Sequence, residues 1–146
     1  MIQKPLLLII EDDTLLASTM RDKFVSVGFK VVIAGDGDIA LTKLRALIPQ
    51  IVLLDLLLPK KNGFDILSQM KQNPLWKQIP VVIASNLNGE SDIDRGYALG
   101  AGDYIVKSNL SLNDLVQKVV FLLNMSSHGK KFLNSIGQSK FTPKSL

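Results

Sequence analysis

Residues 51–63 read Ile-Val-Leu-Leu-Asp-Leu-Leu-Leu-Pro-Lys-Lys-Asn-Gly, and this stretch organises the rest of the chain. Four apolar residues, two of them β-branched, precede Asp55, and the apolar run breaks at Pro59 and Gly63. Such a run is typical of a strand buried on both faces at the centre of a parallel sheet. Asp55 would then lie at the carboxyl end of the strand, where open α/β sheets bind ligands. From this stretch alone, Asp55 could equally cap a turn or a helix.

Length and composition limit the class of protein. A chain of 146 residues with 47% hydrophobic residues is the size of one ordinary globular domain. The absence of cysteine excludes disulfides, thiolate metal sites and a cysteine nucleophile. No apolar run approaches the length of a membrane span, and the amino terminus lacks the long apolar core of a signal peptide. We therefore expect a cytoplasmic protein with no membrane contact.

The net charge of +4 is concentrated at the carboxyl terminus. Four of the 17 basic residues and none of the 13 acidic residues lie in residues 126–146, so the preceding residues are balanced. We expect a folded domain over residues 1–125, followed by a basic, flexible or loosely docked tail over residues 126–146. The basic pI is thus no indication that the folded part binds nucleic acid, and we do not expect such binding. Contact of the tail with RNA, DNA or an anionic surface is the alternative.

Strand-like and helix-like segments alternate along the chain. Short β-branched or apolar runs occupy residues 6–10, 31–34, 51–54, 81–84 and 104–106. Segments with helical spacing of apolar residues follow each run, and glycine or proline closes most of them. The alternation predicts an α/β fold, a doubly wound parallel sheet of five strands flanked by five helices with right-handed crossovers.

Polar side chains follow four of these predicted strands, so they would meet at one edge of the sheet. They are Glu11, Asp12 and Asp13 after the first strand, Asp55 after the third, Ser85 after the fourth and Lys107 after the fifth. Clustered carboxylates repel one another unless a cation relieves them, and an all-oxygen set favours Mg²⁺. Carboxylate, Mg²⁺, hydroxyl and lysine together could hold a phosphoryl group while a carboxylate attacks it. Without the metal, Lys107 would be a salt-bridge partner of Asp55.

Four motifs carry a resemblance to a known family. They are Leu-Ile-Ile-Glu-Asp-Asp at 8–13, Asp55 with Pro59 and Gly63, Val-Val-Ile-Ala-Ser at 81–85, and Gly-Ala-Gly-Asp-Tyr-Ile-Val-Lys at 100–107. With this spacing the chain resembles the receiver domain of bacterial two-component response regulators, most like the stand-alone, single-domain kind. The resemblance covers residues 5 to 124. It implies a flavodoxin-like fold with strand order 2-1-3-4-5.

The resemblance also implies the role of each site residue. Asp55 would be the phosphoacceptor, taking the phosphoryl group from a sensor histidine kinase or a histidine phosphotransfer protein. The Mg²⁺ ligands would be Asp12, Asp55 and the backbone carbonyl of Leu57, with Glu11 acting through water. Asp13 would instead start the following helix. A bound phosphoryl group would contact Ser85 and Lys107. The chain would not be an enzyme beyond taking part in its own phosphorylation and dephosphorylation.

The implied output is a conformational switch. Phosphorylation would draw Ser85 inward, and Tyr104 would swing from an exposed to a buried rotamer. The altered surface would be helix 4 (about Glu90 to Leu99), strand 5 and helix 5. Output would pass to an unknown downstream protein or onward by phosphorelay, and a homodimer would form through this same face. The alternative is that Tyr104 is an ordinary core residue.

Three departures from the family pattern bear on the site. Ser108 follows Lys107 where the family usually has a cis proline, and a non-proline cis bond costs about 3 kcal/mol, which favours a trans bond in this loop. Asn86 replaces a very small residue beside Ser85. Leu57 and Leu87 are both apolar at positions that in the family flank the path of the attacking water, so we expect slow loss of phosphate.

Functions of other classes fit the residues less well. An aspartyl-nucleophile phosphatase would place an acid at position 57, which is leucine. A flavodoxin-like electron carrier would bind FMN phosphate after the first strand, where three acids would repel it. A phosphorylation-independent scaffold that keeps the receiver fold remains the main alternative.

Overall fold

The computed structural model describes residues 3–126, which form five strands and five α-helices in strict alternation. The strands are β1 (Leu6–Ile10), β2 (Lys30–Ala34), β3 (Ile51–Leu54), β4 (Val81–Ser85) and β5 (Asp103–Val106). The helices are α1 (Thr14–Ser26), α2 (Gly37–Leu47), α3 (Gly63–Gln72), α4 (Glu90–Ala98) and α5 (Leu112–Met125). All four strand pairs are parallel, in the order β2-β1-β3-β4-β5. The fold class and the strand order are therefore confirmed.

Two apolar layers cover the two faces of the sheet. Because successive side chains of a strand point to opposite faces, β3 sends Val52 and Leu54 into one core and Ile51 and Leu53 into the other. The first core includes buried residues of α2 and α3 together with Trp76, and the second includes those of α1 and α5. All four residues of β3 are buried, as expected for the central strand.

Polar caps define where most helices begin. The side chain at the N-cap accepts a hydrogen bond from the amide three residues later in four helices, at Asp13 (α1), Asp36 (α2), Asn62 (α3) and Ser111 (α5). The N-cap of α4 is Gly89, which has no side chain to offer. Helix α4 therefore begins without the side-chain bond that the other four helices have.

Local differences from the sequence prediction are small. Strand β2 begins one residue earlier than expected, as does β5, and β4 extends to Ser85. Residues Lys107–Asn109 form a 3₁₀ turn that the apolar pattern did not predict. The structure has no cis peptide bond in residues 3–126, so the bond from Lys107 to Ser108 is trans.

Two further expectations concern membranes and the tail. None of the helices within residues 3–126 is long and apolar enough to cross a bilayer. The prediction of a flexible or loosely docked tail falls on residues that, apart from Ser126, lie outside the described part of the chain.

Candidate functional site

The carboxyl ends of β1 and β3 place two acids side by side below the surface. The sheet ladder continues past both strand ends, because the amide of Glu11 donates to Ala34 O (3.0 Å) and the amide of Asp55 donates to Ile10 O (2.9 Å). Glu11 and Asp55 are buried, with 3% and 5% of their surface exposed. Asp12, the next residue, is exposed. The backbone thus fixes two buried carboxylates with a third at the mouth of the site.

Lys107 reaches both buried acids from the end of β5. Its Nζ lies 2.9 Å from Asp55 Oδ2 and 2.5 Å from Glu11 Oε1. Because β4 lies between β3 and β5, only a long side chain can reach from the end of β5 to Asp55 at the end of β3. One carboxylate oxygen from each of Glu11, Asp12 and Asp55 also lies within 4.8 Å of the others. The structure therefore brings four of the predicted site residues together.

Burial and ion pairing shift the pKa values of Glu11 and Lys107 in opposite directions. Burial raises the pKa of Glu11, and the charge of Asp55 adds to this, while the Lys107 ammonium and the Asp13 amide lower it without cancelling the rise. Burial would by itself lower the pKa of Lys107, but the contacts with Glu11 and Asp55 outweigh it and the net pKa is raised. Lys107 is consequently a permanent cation at neutral pH.

The donor set fits a hard divalent cation. The three clustered groups are all carboxylates, and oxygen ligands at this density suit Mg²⁺, which needs only one or two carboxylates and keeps its waters. Glu11 is buried, and its Oε1 pairs with the Lys107 ammonium while its Oε2 accepts a hydrogen bond from Asp13 N (3.1 Å). Each carboxylate oxygen has a second lone pair, so Glu11 can also accept a hydrogen bond from a metal-bound water.

Asp13 and Gly63, which lie close to the site, have structural roles. Asp13 caps α1 by accepting a hydrogen bond from Leu16 N (3.0 Å), which agrees with the expected helix-start role. Gly63 lets α3 begin against the end of β3, since a Cβ there would collide with the carbonyl oxygen of Asp55. The loop between β3 and α3 carries Leu57. Its amide donates to Asp55 Oδ1 (3.3 Å), and its side chain is 54% exposed.

Ser85 and Tyr104 are joined through the backbone of Leu87. Ser85 is fully buried, and its Oγ accepts a hydrogen bond from Leu87 N (3.3 Å) rather than bonding Asp55. The hydroxyl of Tyr104 donates to Leu87 O (2.6 Å), and its ring is partly buried. Burial, with the charges of Asp92 and Asp55, raises the Tyr104 pKa, so the hydroxyl keeps its proton. The Tyr104 hydroxyl thus bonds the loop that follows Ser85.

Sequence reasoning missed two of these contacts. It paired Lys107 with Asp55 but not with Glu11, although the strand order alone places the ends of β1 and β3 next to each other. It also gave Leu87 only an apolar side-chain role, whereas its backbone carries both bonds. A backbone acceptor leaves no signal in residue type, because every residue has a carbonyl.

Comparison with known proteins shows the family to which the chain belongs. The family model for the response regulator receiver domain matches residues 7–120. The chain is 33% identical to the transcriptional regulatory protein CpxR of Escherichia coli over 129 residues, 88% of this chain and 53% of that protein. It is 36% identical to the DNA-binding response regulator MtrA of Mycolicibacterium paratuberculosis over 101 residues, 69% of this chain and 44% of that protein. The chain thus spans about half the length of these relatives.

Solved structures give the same result. The receiver domain of Francisella response regulator 1452 superposes with a TM-score of 0.76 at 26% identity, covering 82% of this chain and 96% of that one. The Mn²⁺-bound form of response regulator Rcp1 superposes with a TM-score of 0.69 at 30% identity, covering 82% of this chain and 92% of that one.

Proposed function

The chain belongs to the response regulator receiver domain family of two-component systems, and on that premise we propose that Asp55 is its phosphoacceptor. The observation that carries the proposal is the position of Asp55. Its carboxylate is buried, lies 2.9 Å from the Lys107 ammonium and is within 4.8 Å of two further acids. A carboxylate so placed can act as nucleophile while neighbouring charges stabilise the group that arrives.

The phosphoryl donor would be a phosphohistidine. An oxygen of Asp55 attacks phosphorus, the bond from phosphorus to the imidazole nitrogen breaks, and the imidazole of the partner leaves. Lys107 then pairs with a phosphoryl oxygen instead of the bare carboxylate, and Ser85 donates its hydroxyl to another. The partner is accordingly a sensor histidine kinase or a histidine phosphotransfer protein.

Mg²⁺ is the cofactor that the donor set suits. Asp12, Asp55 and the carbonyl of Leu57 would hold it, with Glu11 acting through a water. When bound, the ion supplies positive charge that neutralises the phosphoryl oxygens. The Mn²⁺-bound structure of the related regulator Rcp1 supports a divalent cation in this family.

The output would be a change of the surface formed by α4, β5 and α5. Tyr104 on β5 is the bonded partner of Leu87, whose amide in turn bonds Ser85. A new charge at Asp55 that draws Ser85 inward would therefore move the loop between them and alter the Tyr104 contact. The signal would pass by protein contact, by phosphorelay or through a homodimer that uses this face.

We expect the aspartyl phosphate to persist. The side chain of Leu57, two residues after Asp55, is exposed, and Leu87 lies in the loop between β4 and α4. Neither side chain can orient or deprotonate a water for attack on phosphorus.

Intact-mass analysis tests the proposal. The full-length chain is incubated with acetyl phosphate in the presence and absence of Mg²⁺, beside Asp55→Asn and a control, Asp13→Asn, which alters an adjacent acid outside the carboxylate cluster. We expect one phosphoryl adduct that requires Mg²⁺, is absent from Asp55→Asn and is retained in Asp13→Asn. No adduct on the wild-type chain would favour the phosphorylation-independent scaffold.

A further inference from the structure

The chain contains two Asn-Gly pairs, Asn62-Gly63 and Asn88-Gly89. In such a pair the backbone nitrogen of glycine can attack the side-chain amide carbon of asparagine, because glycine has no Cβ to obstruct the approach. The new carbon–nitrogen bond closes a five-membered imide and ammonia leaves. Water then opens the imide to aspartate or to isoaspartate. The reaction needs a glycine nitrogen and an asparagine side chain that are both free to move.

The first pair is held on both sides. Gly63 is buried, and its amide donates a hydrogen bond to Leu56 O (2.9 Å). The side chain of Asn62 is occupied as the N-cap of α3, with its Oδ1 accepting from Asp65 N (3.0 Å). Imide formation would break both bonds and move a backbone that is packed against Asp55 O. This pair is therefore protected by the fold.

The second pair is open. Asn88 and Gly89 are both exposed, in the loop between β4 and α4. Within residues 3–126, no hydrogen bond engages the side chain of Asn88 or the amide of Gly89. In the described part of the chain, a Cβ built at Gly89 would meet Asp92 Oδ2 at 3.3 Å, the far end of a flexible side chain. Helix α4 buries only Gly96, so its first turn can yield to the attacking geometry.

We propose that Asn88 is a site of spontaneous deamidation, converting to aspartate and isoaspartate through attack by the Gly89 nitrogen. The net change consumes one water, releases one ammonia and needs no other reactant. The product carries an additional negative charge directly before α4, which already has Glu90 and Asp92 in its first turn. The isoaspartate form also adds a methylene to the backbone next to Leu87, whose carbonyl bonds Tyr104.

The consequence for signalling rests on the proposed function, whereas the reaction itself does not. If the α4, β5 and α5 surface is the output surface, an aged chain presents it with altered charge and a lengthened loop. A regulator would then exist in a fresh and an aged form that share the same phosphoacceptor.

Peptide mapping of the full-length chain tests the proposal. The folded protein is kept in mildly alkaline buffer made with water enriched in heavy oxygen, and label uptake at the two asparagines is followed over time. We expect Asn88 to convert about tenfold or more faster than Asn62, because Asn62 must first break its hydrogen bonds. In urea, where neither pair is held, the two rates should become similar.

Gly89→Ala is the matched control, since a Cβ at position 89 obstructs attack in both folded and unfolded chains and should slow conversion of Asn88 in both. Equal rates at Asn62 and Asn88 in the folded protein would overturn the proposal, as would no conversion of Asn88. The readout is a mass change in a peptide and needs no phosphorylation. Failure of acetyl phosphate labelling would therefore refute the phosphoacceptor without touching this result.

Discussion

Lys107 is the residue on which the charge balance of the site depends. It is the cation in contact with two buried carboxylates, at 2.9 Å from Asp55 and 2.5 Å from Glu11. Bringing two carboxylates together below the surface is unfavourable unless positive charge compensates them. In the metal-free protein Lys107 supplies that charge, and the proposed Mg²⁺ would add to it.

Lys107→Met should therefore destabilise the metal-free protein. Two buried carboxylates would lose their partner, and we expect the free energy of unfolding to fall by about 3 kcal/mol. Added Mg²⁺ should restore more stability to this variant than to wild type. Urea unfolding with a chelator and then with Mg²⁺ measures both effects.

Lys118→Met is the matched control for Lys107→Met. Lys118 is exposed and lies 3.9 Å from Asp103, so its removal should change stability by no more than about 0.5 kcal/mol. Equal losses in the two variants would show that the contacts of Lys107 are no more important than a surface ion pair.

Lys71 offers a pH test away from the site. Its Nζ donates to Lys77 O (3.2 Å) and Ile79 O (2.9 Å), and burial lowers its pKa from 10.5. Between the lowered pKa and 10.5 the unfolded chain binds the proton more strongly than the folded one, so stability rises with pH in that window. The neutral amine still has two hydrogens for the two carbonyls.

Comparison with Lys71→Met isolates this group. The stability of wild type relative to the variant should increase between neutral pH and 10.5, as followed by urea unfolding. A difference that stays constant or shrinks over that range would contradict the buried, pKa-lowered amine.

Among the five α-helices, α4 has the fewest buried residues. It buries only Gly96 and begins without a side-chain cap. Hydrogen bonds and a cation–π contact hold α4 in place instead. Arg95 lies 4.1 Å from the centre of the Phe64 ring, and the hydroxyl of Tyr97 donates to Asp103 Oδ1 (3.2 Å) and accepts from Tyr104 N (3.1 Å). A helix held this way can shift without disrupting either core.

Gly96 sets how closely α4 approaches the sheet. A Cβ there would lie 2.8 Å from Ile83 Cδ1 and 3.0 Å from Tyr104 Cδ2. Gly96→Ala should lower the free energy of unfolding by about 1–2 kcal/mol, because overpacking exceeds the better helix propensity of alanine. Gly35→Ala, where nothing lies within 4 Å of the added Cβ, should be nearly neutral in the same unfolding assay. Comparable losses in both would contradict the close approach.

The elements themselves could be predicted because continuous apolar runs and helical spacing are strong local signals. The runs at 6–10 and 51–54 coincide with β1 and β3. The turn at Lys107–Asn109 could not be predicted, since it holds no apolar residue and depends on how the chain leaves the sheet edge. The contacts of Tyr97 with β5 were equally hidden, because an exposed tyrosine has no sequence signal for its hydroxyl partner.

At the scale of the whole molecule, the parallel sheet assembles one site from residues 11 to 107. The strand ends were predictable from pattern, so the meeting of Glu11, Asp12, Asp55 and Lys107 followed once the strands were parallel. The sequence pattern could not predict which of these side chains form ion pairs or hydrogen bonds with one another. Those choices depend on strand spacing and side-chain length, as in the reach of Lys107 across β4.

Phosphorylation of Asp55 should be coupled to the surface formed by α4 and β5. Amide hydrogen exchange of the full-length chain with Mg²⁺ and beryllofluoride, a mimic of the phosphoryl group, tests this most directly, with Asp55→Asn as control. We predict altered exchange within residues 85–106 of the wild-type chain, little change in α2, and no response in Asp55→Asn. An unchanged pattern in wild type, or the same change in Asp55→Asn, would contradict the coupling.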